Sequence, residues 1–78
     1  MKILNVIVLD MGMMESCKSF PVIAQKDKKT VIKEAEDYFI ERIKEWGDVI
    51  DDIDVETIIG EENYSDGNGN EIFLVWSK

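Results

Sequence analysis

The 78-residue chain contains no histidine, one cysteine, one proline and one arginine, and no basic residue at all from Glu45 to Ser77. Each absence narrows the chemistry. Without histidine there is no Ser-His-Asp triad, no imidazole acid–base pair and no His-ligated metal. With Cys17 as its only thiol, the chain forms no intrachain disulfide and no CxxC zinc site, and an unpaired thiol fits a reducing compartment. No stretch approaches the roughly 18 apolar residues of a membrane span. The apolar opening Ile3–Leu9 includes Asn5, runs into Asp10 and lacks the small-residue cleavage pattern of a signal peptide. These features predict a cytoplasmic protein.

What is present is the balance of a folded domain, 45% hydrophobic and 33% charged residues, with room for one small α/β domain over residues 1–78. The net charge of −8 is unevenly placed. Residues 1–44 hold seven acids against eight bases, whereas residues 45–78 hold ten acids against Lys78. Asymmetry of this kind within one domain predicts an acidic face. It argues against binding to nucleic acid or to anionic lipid, both of which select clusters of Lys and Arg.

The hydrophobic periods sketch the elements. Ile3–Leu9 is apolar on both of its alternating faces and β-branched, as a strand in the middle of a sheet would be. Met11–Ser16, punctuated by Gly12, reads as a loop. Phe20–Gln25 reads as a second strand, hairpin-joined to the first and pushed to an edge by Pro21. From about Lys28 to Trp46 the apolar residues Val31, Ile32, Ala35, Phe39, Ile43 and Trp46 recur at steps of three and four, between Asp27 as N-cap and Gly47 as terminator. Beyond Gly47 the period shortens to two. Ile53, Val55, Thr57 and Ile59 alternate with Asp52, Asp54, Glu56 and Ile58, which predicts a half-buried strand with Gly60 at a bulge. Residues 65–70, Ser-Asp-Gly-Asn-Gly-Asn, offer two hairpin tips. Glu71–Ser77 closes the chain as a strand with apolar residues on both faces. The predicted fold is α+β, a two-layer ββαββ arrangement with one helix on a four-stranded antiparallel or mixed sheet. One helix covers one face only, so the second apolar faces of the first and last strands predict a homodimer or higher oligomer.

Candidate chemistry is sparse. Asp66, Asn68 and Asn70 space like the opening of a calcium loop, but Glu71 and Ser77 stand where an EF-hand needs glycine and glutamate, so no metal site is assigned. Cys17 has no histidine to activate it. Neither a catalytic residue nor a cofactor is therefore expected, and the chain does not read as an enzyme. Two binding surfaces remain. The first is acidic: Asp51, Asp52, Asp54, Glu56, Glu61, Glu62 and Asp66, with Asp52, Asp54 and Glu56 about 6.6–6.8 Å apart along one strand face. It suits a basic protein partner. The second, alternative surface is Lys26, Lys28 and Lys29 at the helix N-terminus, where an anionic metabolite would meet both the ammonium groups and the helix dipole.

Phe20-Pro21-Val22-Ile23-Ala24-Gln25 after a leading hairpin, then a helix with Glu34-Ala35 and Tyr38-Phe39, resembles HicB-type antitoxins, small domains that wrap an RNase toxin. The resemblance covers residues 20–43, about a third of the chain. It departs at the helix start, where the family's Gly-Asp-Thr is replaced by Lys26-Asp27-Lys28. Composition and charge together predict a non-enzymatic acidic protein that binds and blocks, or holds, a basic partner. A nucleic-acid-handling protein is the type of partner whose surface is basic by necessity, as for a phage-type inhibitor or an antitoxin.

Overall fold

Alternation in the opening segment sets the architecture. In the computed structural model, which describes residues 2–47 and 54–77, strand β1 (Ile3–Asp10) buries Leu4, Val6 and Val8 on one side and leaves Ile3, Ile7 and Leu9 half-buried on the other. It pairs antiparallel with β2 (Met13–Pro21) along one edge and with β4 (Glu71–Ser77) along the other. The short β3 (Asn63–Ser65) adds to the far side of β4, giving the order β2-β1-β4-β3. The two strands with apolar residues on both faces are thus the central pair. Pro21 closes an edge strand, where its missing donor is tolerated.

One long helix, α1 (Lys28–Glu45), covers one face of the sheet. Asp27 caps it, Oδ1 accepting from the Thr30 amide at 2.8 Å. Gly47, at φ +84, supplies the left-handed exit. Between the caps Val31, Ala35, Phe39 and Ile43 recur at steps of four and are fully buried against Leu4, Val6, Val8, Phe20, Ile72 and Leu74. Each large side chain so buried contributes about 1.5–3 kcal/mol. Tyr38, on the flank, reaches over β2. Its ring meets Phe20 edge-on at 6.0 Å and its hydroxyl lies 2.8 Å from Ser16 Oγ. The result is an α+β fold with a four-stranded antiparallel sheet.

Two segments depart from the predicted elements. Residues 11–16 form no loop. Met11 and Gly12 alone make the turn, both at positive φ (53° and 83°), and Asp10 already faces Met13 across the ladder. This is the two-residue hairpin geometry that suits the strand twist. Strand β2 then runs from Met13, not Phe20, through a bulge opposite Val8/Leu9, and ends at Pro21. Only Phe20 of its nine residues is buried, so the apolar alternation that marks a strand is missing there. The second departure is larger. The predicted strand over 53–59 is, from Val55 to Glu61, a helix, α2. Residues 48–53, including Asp51, Asp52 and Ile53 of that expectation, lie outside the described residues. Asp54 caps α2 and Glu62, at φ +62, ends it. Gly60 sits inside the helix and marks no bulge. The observed order is therefore ββααββ.

Candidate interaction surface

The acidic segment acquires its shape from α2. Asp54 accepts from the Thr57 amide through Oδ1 at 3.2 Å and from Thr57 Oγ1 through Oδ2 at 2.7 Å. The Thr57 hydroxyl and then its amide hold the Asp54 carboxyl below the ordinary carboxylate range. Two turns of helix are too short to persist alone, so α2 depends on packing. Ile58 is buried in the core, and Val55 and Ile59 pack beside it. Those three stand at i, i+3 and i+4, the spacing of a helix face. Their burial turns Glu56 and Glu61 outward, both exposed, with Glu62 exposed at the C-cap.

This placement corrects the strand-face row. Asp54 and Glu56 stand two positions apart at a helix start, one a cap and the other a first-turn residue. They do not share the 6.6–6.8 Å spacing of alternate strand residues. Asp66 is also separated in kind. Its Oδ1 accepts from the Asn68 amide at 2.7 Å and the Asn70 amide at 3.2 Å, and its Oδ2 accepts from Asn70 Nδ2 at 2.8 Å. The Asn68 amide is the main cause of its lowered pKa. Asp54 and Asp66 therefore organise their own turns. Glu56, Glu61 and Glu62 take part in none of the ion pairs among the described residues. A carboxylate left in water is the one most ready to meet an incoming cation, because no internal hydrogen bond has to break.

The lysines of the alternative surface do not converge. Lys26 Nζ pairs with Glu34 Oε1 at 2.8 Å, while Lys28 Nζ lies 5.3 Å from the centre of the Trp76 ring. Lys29 is exposed and near Asp27, whose lowered pKa owes most to the Thr30 amide and least to that lysine. The Thr30 amide that would greet an anion at the start of α1 is already engaged by Asp27. A crevice nearby, lined by Leu4, Ile32, Phe39, Ile59 and Trp76, encloses about 20 Å³. That holds a water-sized group, far less than the roughly 300–1,000 Å³ of a metabolite site.

The methionines of the β1–β2 hairpin are surface groups. Met11, Met13 and Met14 are 72%, 75% and 64% exposed rather than folded back over the sheet. A two-residue turn leaves no slack for them to curl inward, and only a correct turn assignment at Met11-Gly12 would have revealed it. Cys17 is exposed on β2, registered opposite Ile7. Among the described residues no three His, Cys, Asp or Glu side chains cluster as metal ligands, and no helix is long and apolar enough to cross a membrane. Compared with known protein families, curated proteins and solved structures, the chain matches none.

Proposed function

We propose that the chain is a non-enzymatic interaction protein that uses the acidic segment beginning at α2 to bind and block, or hold, a basic protein. One observation carries the reading: Glu56, Glu61 and Glu62 are exposed on or next to a helix anchored to the core, without an ion-pair partner among the described residues, in a stretch that has no basic residue. Fixed carboxylates of one sign steer a cationic surface and accelerate its docking more than they deepen the final affinity. A protein that handles nucleic acid presents such a surface, and covering it would exclude the phosphates it normally contacts. An inhibitor of phage type or an antitoxin would act in this way.

The test is the triple variant Glu56→Gln, Glu61→Gln and Glu62→Gln. It retains Asp54 and Asp66, so the caps of α2 and of the β3–β4 turn stay in place. Wild type should retain basic proteins from a lysate at low ionic strength and release them as salt rises. The variant should retain markedly less at low salt while its circular dichroism is unchanged. Equal retention by the two proteins would overturn the assignment of these three residues.

A further inference from the structure

We propose that the sheet face opposite α1 is the contact surface for a second copy of this chain, in a two-fold, face-to-face dimer. The register defines the face. Ile3, Ile7 and Leu9 of β1 lie beside Phe73 and Val75 of β4, with the neighbouring positions of β2 and β3 at the margins. Both helices bury their apolar residues on the other side, together with Leu4, Val6 and Val8, and Val75 is left 44% exposed.

Three features of this face point to a partner like itself. The first is charge. One residue in three of the chain is charged and the net charge is −8, yet among the described residues the only acid or base registered on this face is Glu71, opposite Leu9 near one end. Two copies of a protein at −8 repel wherever carboxylates face one another, and here they can meet without that conflict. The second is the state of Asn5 at the centre. Its Nδ2 donates to the Val75 carbonyl and to Ser77 Oγ, both at 3.0 Å, and its Oδ1 accepts from Ser19 Oγ at 2.7 Å. Three of the four hydrogen-bonding positions of the amide are filled from within the chain, so the group can be covered without a partner's donor or acceptor. The centre of the face then offers apolar area around a satisfied amide, with its polar residues, Ser19, Asn63, Ser65, Glu71 and Ser77, at the margins and strand ends.

The third is the edges. Strand β2 carries a bulge, Lys18 and Pro21, and β3 has three residues. Both devices discourage edge-to-edge strand addition, which leaves stacking of the sheets about 10 Å apart as the mode of contact. The face comprises about fourteen positions on the four strands, against the roughly 20–30 residues a side of a standard interface. It therefore buries on the order of 450 Å² per copy, below the standard size, so the dimer should be weak and form only as concentration rises. This inference is independent of the acidic segment, whose helix packs against the core on the other side of the sheet.

Sedimentation from about 1 μM to about 1 mM, with the rate of Cys17 thiol labelling followed over the same range, tests it. Wild type should shift from monomer to dimer, and Cys17, on the same face, should label more slowly as the dimer forms. Val75→Lys should raise the dissociation constant at least about tenfold and keep labelling fast at every concentration. Val75→Thr preserves the β-branched shape, so it supplies the decision if the lysine variant does not fold; it should weaken the dimer with an unchanged circular dichroism spectrum. A wild type that stays monomeric throughout overturns the proposal, and so does a folded Val75 variant that dimerises as tightly as wild type.

Discussion

Truncating Ile58 to alanine discriminates between a helix and a strand over residues 55–61. Ile58 is 5% exposed and belongs to the core cluster with Phe39 and Ile72. The substitution removes three buried carbons, worth about 0.8 kcal/mol each, and any cavity that fails to close adds to the loss. Because α2 has seven residues, it can settle partly into the space, and a total of about 3 kcal/mol follows. A chain of this size holds about 4–12 kcal/mol in all. The loss should lower the melting temperature by roughly 12–24 °C. Urea unfolding followed by circular dichroism measures it, as a lower midpoint at unchanged slope. In a strand through the same residues Ile58 would point outward beside Glu56, and its truncation would fall within about 0.5 kcal/mol, as for other surface changes. A measured loss below about 1 kcal/mol would refute the docking of α2 described above.

Two further outcomes are expected. Asp27, Asp54 and Asp66 are held below their ordinary value of 3.8 by amide and hydroxyl donors of the folded chain. The unfolded chain then binds protons more readily, so their stabilisation is complete above pH 3.8 and is lost as pH falls through the lower folded values. A urea midpoint measured against pH should drop below that value, and less steeply in the double variant Asp54→Asn, Asp66→Asn; an unchanged slope would contradict the hydrogen bonding described. At the β1–β2 turn Met11 occupies the left-handed region at φ +53, which costs most side chains about 1–2 kcal/mol and asparagine less. Met11→Asn should therefore raise stability by about 0.5–1 kcal/mol in thermal melts, and a loss would mean that the packing of the Met11 side chain, whose Sδ occupies the space a Cβ on Gly69 would need, outweighs the strain.

The elements legible in the sequence are those in which local pattern and tertiary burial agree. Asp27, the Val31–Ala35–Phe39–Ile43 stripe and Gly47 specify α1 by capping and period alone, and no packing partner had to be known. The two-faced apolar character of Ile3–Leu9 and Glu71–Ser77 likewise required central positions in a sheet. Residues 55–59 were a different case, because Val55, Thr57 and Ile59 satisfy a period of two while Val55, Ile58 and Ile59 satisfy a helical one. The choice lay with the core beneath them. Docking Ile58 there requires a helix, which Asp54 and Thr57 can then cap. Strand β2 was hidden for the opposite reason. An edge strand with one buried residue carries almost no apolar signal, and its pairing comes from the ladder with β1 and the turn at Met11-Gly12. For the surface, the sequence could count the acids but could not sort them. Which carboxylates cap a turn and which face water depends on where the neighbouring amides point, and that is settled only when the chain is folded.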